Sequence, residues 1–180
     1  YKMIDVSDKQ PTFRKALATG KIIVGKKTFD LIKDKKMVKG DPISLAEWRK
    51  LGYTQTKFTG DMYDMRNSEP EWMHAIRKVL PWKHFSWSVY RMDPGCCLPT
   101  HGDTYARFCK LYNITDMDTV HRAIFFMKDW ESGHVFEIDG VPQTQWHAGD
   151  YFVWQNDTEH LAANVGKTPR YSLQITGVID

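Results

Sequence analysis

From residue 84 to the end of the 180-residue chain, apolar residues fall in short runs, with turn signals every ten residues or so. Residues 84–92 are rich in aromatic and β-branched side chains, and Asp93-Pro-Gly95 turns the chain. Residues 98–103, 122–127, 134–138, 151–154, 160–164 and 170–178 read the same way, with turns at Asp139-Gly140, Gly149 and Gly166. Many short strands between Gly/Pro/Asn/Asp turns predict a mainly β sandwich or barrel. The stretch 104–120 is polar and long, and predicts a loop over the mouth of a site.

The first eighty-three residues follow another pattern, a mixed helical cap on the same single domain (1–83 on 84–180). Ser7 and the Phe13/Leu17 spacing predict a short helix stopping near Gly20, and residues 21–24 have strand composition. Residues 26–42 fit a helix or a charged hairpin equally well. Ser44-Leu-Ala-Glu47 is a capping box that predicts a helix ending before Gly52. Ser68 and Glu71 repeat the device, with Pro70 in the first turn. Trp72, Met73, Ile76, Val79 and Leu80 then make one apolar stripe, which ends at Pro81 and predicts packing against the outside of the sheet.

Composition narrows the class. Hydrophobic residues make up 42% and charged residues 26%, which is globular rather than disordered. The apolar runs are too short to span a bilayer. Three cysteines, two of them adjacent at Cys96-Cys97, are a poor disulfide framework and predict a reducing, cytoplasmic setting. Residues 1–60 carry 14 Lys+Arg against 6 Asp+Glu, while residues 61–180 carry 11 against 16. A basic arm allows a nucleic-acid partner. The segment lacks the aromatic interleaving of a single-strand groove, so a merely soluble basic face is favoured. Gly20 to Lys26 fits the start of a P-loop, but Lys27 stands where the magnesium-binding hydroxyl belongs.

The chemistry lies in the second half. His101 and Asp103 form a His-x-Asp pair, a second histidine follows at His160, and Arg170-Tyr-Ser172 comes ten residues later. A His-x-Asp pair alone is an ordinary coincidence; the conjunction is selective. Two imidazoles and a carboxylate with open positions beside them form the facial triad of Fe(II) oxygenases. An arginine and a hydroxyl two residues apart on a strand share one face and grip a carboxylate together. His121, His134 and His147 are expected at the surface or in turns.

Pro94-Gly-Cys-Cys-Leu-Pro-Thr-His-Gly-Asp103, His121-Arg-Ala-Ile-Phe-Phe-Met127, Gly149-Asp150 before Tyr-Phe-Val-Trp154, and His160…Asn164…Arg170-Tyr-Ser172 together resemble the Fe(II)/2-oxoglutarate-dependent dioxygenases. The prolyl-hydroxylase-like and aspartyl/asparaginyl-hydroxylase-like branches, with their small phage and bacterial members, are nearest. The resemblance covers residues 84–180. It implies a double-stranded β-helix (jelly roll, cupin-like) with flanking N-terminal helices. It also implies Fe(II) on His101, Asp103 and His160, and 2-oxoglutarate held by Arg170 and Ser172, with O2 as the remaining co-substrate. Arg122 is a further candidate for the co-substrate, or else a salt bridge at the barrel rim; Tyr90 is another, or else a packed core tyrosine. Trp154 and Phe126 are candidates for the pocket wall, and Asn164 for bracing the turn before Arg170. The expected reaction couples decarboxylation of 2-oxoglutarate to succinate and CO2 with C–H hydroxylation of a peptide, amino acid or metabolite. A cupin-like metalloenzyme that does not use 2-oxoglutarate and a non-catalytic jelly-roll binding module are the alternatives.

Overall fold

The computed structural model describes residues 16–21, 37–38, 42–53, 61–64, 69 and 73–179. In chain order these form β1 (Ala16–Lys21), β2 (Met37–Val38), α1 (Pro42–Lys50), β3 (Asp61–Asp64), α2 (Met73–Val79), β4 (Lys83–Met92) and β5 (Cys97–His101). Then come α3 (Ala106–Tyr112), a 3-10 turn (Met117–Thr119), β6 (Val120–Phe126), β7 (His134–Ile138), β8 (Val141–Gln143), β9 (Asp150–Gln155), β10 (His160–Asn164) and β11 (Arg170–Val178). A seven-stranded sheet runs β1-β9-β6-β11-β4-β3-β2, and a four-stranded sheet runs β5-β10-β7-β8. Both are antiparallel throughout.

Because side chains alternate across a strand, the large sheet has two apolar faces. Trp87, Val89, Ala123, Phe125, Leu173 and Ile175 face outward, where Met73, Ile76 and Leu80 from α2 and its end cover them. Tyr90, Met92, Ile124, Phe126 and Trp154 face inward and meet Phe136, Ile138 and Ala162 of the small sheet. Burying each large side chain stabilises the fold by about 1.5–3 kcal/mol. The inner layer is the one that matters for function, because Arg122, Arg170 and Ser172 share the parity of those inward residues. A turn of backbone fixes the approach to β11: a Cβ at Gly133 (φ +93) would collide with the backbone of Gly166.

Several elements depart from the sequence pattern. Residues 16–21 form a strand rather than the end of a helix; β1 finds its hydrogen-bond partners along β9, with Ala18 opposite Val153. Tertiary pairing overrides local preference here. Ser7, Phe13 and residues 22–24 lie outside the described residues, as do Ser68, Pro70, Glu71 and Trp72. Helix α1 begins at Pro42, so Ser44 lies inside it rather than at its start; a proline fits the first turn, where its missing N–H costs nothing. Its end is as expected, with Gly52 in the left-handed region at φ +94. Val79 is largely exposed, leaving Met73, Ile76 and Leu80 as the buried stripe.

The stretch 104–120 is not an open loop. It folds into α3 and the 3-10 turn, with Phe108 and Cys109 buried against Tyr105 and Val120. A seven-residue helix is too short to show its period in sequence. All three cysteines are free. Among the described residues no helix is long and apolar enough to cross a membrane.

Candidate metal centre and anion cradle

Strands β5 and β10 are neighbours in the small sheet, and their register sets His160 opposite His101. The two ring centroids are 4.4 Å apart. Asp103 follows two residues beyond the end of β5, not inside the strand as its pattern suggested. Its oxygens lie 3.9 Å from His101 Nε2 and 3.8 Å from His160 Nε2. One ligand atom from each of the three residues falls within 4.8 Å of the others, a group able to hold a metal ion.

The hydrogen bonds select the tautomer. His101 Nδ1 lies 2.7 Å from the carbonyl oxygen of Pro99, and His160 Nδ1 lies 3.1 Å from that of Thr158. A carbonyl only accepts, so Nδ1 carries a hydrogen in each ring, and in the neutral form Nε2 keeps its lone pair. In the neutral rings both Nε2 lone pairs therefore face the Asp103 carboxylate. Burial pushes the His160 imidazole down to about 4, against the attraction of Asp103. Burial opposes ionisation of Asp103 as well, but Arg122, His160 and His101 outweigh it and hold the carboxyl well below the usual carboxylate range. Such a donor set wants a divalent cation, and orienting each ligating imidazole through its other nitrogen is how metal sites are braced.

Arg122 serves this group rather than a separate anion: its Nε and Nη2 both donate to Asp103 Oδ2, at 3.0 and 2.7 Å. Tyr105 places its ring 5.2 Å from the Arg122 guanidinium carbon. Trp48 on α1 meets the His101 ring edge-on at 5.4 Å, and Trp154 lies 5.2 Å from the His160 ring. Trp48 and Tyr105 escaped the sequence reading, since neither occupies a motif. The only signal was Tyr105's position two residues past the His-x-Asp pair.

Arg170 and Ser172 lie deeper between the sheets. Arg170 Nη1 donates to the Val135 carbonyl of β7 at 3.0 Å, while Nε has no partner. Ser172 Oγ is buried and also lacks a partner. Burial pushes the Arg170 guanidinium down to about 10, and the field of Tyr90 opposes that. Tyr90 is buried and stands opposite Ser172 in the register. No carboxylate pairs with Arg170 among the described residues. A buried cation and hydroxyl with open valences are able to donate to an anion. Arg170 reaches β7 at Val135 and His160 pairs with Ile138. These levels are three residues apart, roughly 10 Å along a strand.

Trp154 and Phe126 are buried in the inner core, Trp154 beside the His160 ring and Phe126 opposite Ser172 in the register. Asn164 braces the turn before Arg170, donating to the carbonyls of Met92 and Thr168 at 2.8 Å each. His147 is exposed, but His121 and His134 are buried strand residues rather than surface ones. Each is held by a carbonyl, of Thr119 and Thr168 respectively, and neither joins the triad.

A profile of the MoaC family matches residues 3–65. Among curated proteins, the cyclic pyranopterin monophosphate synthase of Bacillus mycoides (strain KBAB4) is 33% identical over 103 residues, 57% of this chain and 61% of that protein. That of Bacillus cereus (strain B4264) is 32% identical over the same shares. The chain thus spans about three fifths of the length of the curated relatives it matches. Among solved structures, a Pseudomonas putida prolyl-4-hydroxylase superposes with TM-score 0.56 at 12% identity, over 91% of this chain and 92% of that one. A cupin protein from Bacteroides fragilis matches with TM-score 0.38 at 15% identity, over 57% and 73%. The chain has the double-stranded β-helix fold, with a His–Asp–His group at the end of its small sheet able to hold a metal ion.

Proposed function

We propose that the protein is an Fe(II)- and 2-oxoglutarate-dependent oxygenase that hydroxylates a C–H bond of a peptide or amino-acid-type substrate. The observation that carries this reading is the pairing of two incomplete sites between the same two sheets. One is the convergence of His101, Asp103 and His160; the other is the buried cation and hydroxyl of Arg170 and Ser172, whose Nε and Oγ lack partners. A metal alone satisfies only the first. A small diacid that chelates at one end and offers a carboxylate at the other satisfies both.

Within this reading His101 and His160 offer their Nε2 lone pairs, and Asp103 supplies one negative charge. Arg170 Nε and Ser172 Oγ donate to the far carboxylate, with Tyr90 beside them. Trp154, Phe126 and Phe136 keep water from the space between. Iron, when bound, supplies the oxygen chemistry that couples decarboxylation of 2-oxoglutarate to succinate and CO2 with hydroxylation. The protein contributes orientation and a low-dielectric, pre-aimed set of donors.

The matched MoaC residues end before β4, so the triad and the cradle lie outside that profile. The overlap in fold with a prolyl-4-hydroxylase favours a peptide or amino-acid-type substrate over nucleic acid. The test is anaerobic titration with Fe(II) and then 2-oxoglutarate, followed by assay for succinate on admitting air. Substrate-uncoupled succinate is expected, absent in His160→Ala and reduced in Arg170→Ala. Activity that survives Arg170→Ala unchanged would instead favour a cupin-like metalloenzyme without 2-oxoglutarate.

A further inference from the structure

We infer that Arg122, steadied by Tyr105, is the positioning residue that decides which oxygen of Asp103 faces the metal; this deepens the metal-centre reading and rests on it. Asp103 needs an outside tether. The β5 ladder ends at His101, and no strand pairing fixes residues 102–105. Arg122 is anchored where Asp103 is not. It sits on β6, inside the large sheet, opposite Thr176 on one side and Trp154 on the other.

The contact is one-sided. Both Arg122 donors, Nε at 3.0 Å and Nη2 at 2.7 Å, converge on Oδ2. Oδ1 takes no bond from Arg122 and lies 3.9 Å from His101 Nε2. The guanidinium therefore occupies the lone pairs of one oxygen and leaves those of the other, which imposes single-oxygen coordination on a carboxylate able to chelate. It also offsets the carboxylate charge at the metal. The bound cation then keeps more of its demand for a further anionic ligand.

Tyr105 completes the arrangement. Its backbone is left-handed at φ 50, which a residue with a Cβ adopts at a cost. That conformation starts α3 and turns the ring toward the Arg122 guanidinium. The buried Tyr105 ring is held there by packing and by the guanidinium at its face.

The experiment measures binding of Co(II), without 2-oxoglutarate, to the wild type, His160→Ala, Arg122→Met, Arg122→Lys and Tyr105→Ala. It records affinity, the visible ligand-field bands of Co(II), and the circular dichroism of the metal-free proteins. Removing the outer partner of a ligand typically weakens metal binding by roughly 10–100-fold. Arg122→Met is expected to lose that much and to change the ligand-field bands. Arg122→Lys keeps a charge but not the two-donor fork; it should lose less affinity while still shifting the bands. Tyr105→Ala should shift them in the same direction. Arg122→Lys and Arg122→Met with wild-type affinity and bands would overturn the inference while leaving the metal centre intact. A wild type that binds no Co(II), or binds it as well after His160→Ala, would overturn the metal centre itself.

Discussion

His160 repeats on β10 what His101 does on β5: each ring gives its Nδ1 hydrogen to the carbonyl two residues before it, Thr158 and Pro99 respectively. The two strands are antiparallel neighbours, so the rings meet across the ladder at 4.4 Å. The backbone itself thus selects the tautomer that leaves both Nε2 atoms open toward Asp103.

The first consequence concerns those nitrogens. His160→Ala removes one of three donors and should weaken divalent metal binding by more than the roughly 100-fold upper cost of losing an outer partner. Competition with a fluorescent chelator measures it. Unchanged affinity in this variant would mean that the metal binds elsewhere.

Arg170 should show opposite effects on stability and binding. A buried cation without an anionic partner costs free energy in the empty protein. Arg170→Met should leave the Tm of the ligand-free protein unchanged or raise it. The same variant loses charge-assisted hydrogen bonds to a carboxylate, worth about 1.5–3 kcal/mol, so 2-oxoglutarate should bind roughly 10–100-fold more weakly. Calorimetry with and without the diacid reads both. A variant that loses stability and keeps diacid affinity contradicts the cradle.

The depressed His160 gives a pH dependence to the metal-free protein. Its folded value of about 4 lies below the ordinary 6.5. Between these values the unfolded chain binds more protons than the folded one, so stability rises with pH. The contribution is fully present above about pH 6.5 and is lost as pH falls toward 4, amounting to about 3 kcal/mol at most. Urea denaturation across that window should show the decline, and His160→Phe should flatten it.

Trp48 and Trp154 report on the centre by proximity. Each ring lies within 5.4 Å of a triad imidazole, so Co(II) binding should quench their fluorescence. Trp48→Phe and Trp154→Phe should each reduce the quench, and the double variant should abolish most of it. A double variant quenched as fully as the wild type would place the bound metal away from these rings.

The β half of the protein was legible because strand pattern is a local property. Residues 170–178 and 122–127 stand out as short runs rich in apolar and β-branched residues, and the turns at Asp139-Gly140 and Gly166 announce themselves by residue type. Residues 104–120 were misread because two short helical turns carry too few residues for a period. The edge strand β1 was misread because its partner, β9, lies more than a hundred residues away.

The same division runs through the site. The candidates at 101, 103, 160, 170 and 172 were open to selection from sequence alone, since imidazole, carboxylate and guanidinium in that order make a recognisable pattern. Which groups touch was decided only by the closing of the two sheets. That closure puts the Arg122 guanidinium on Asp103 instead of on a free anion, sets Trp48 against His101, and buries His121 and His134. Periodicity records which way a side chain faces along its own strand. What it meets there depends on register and layer packing, and those belong to the folded chain as a whole.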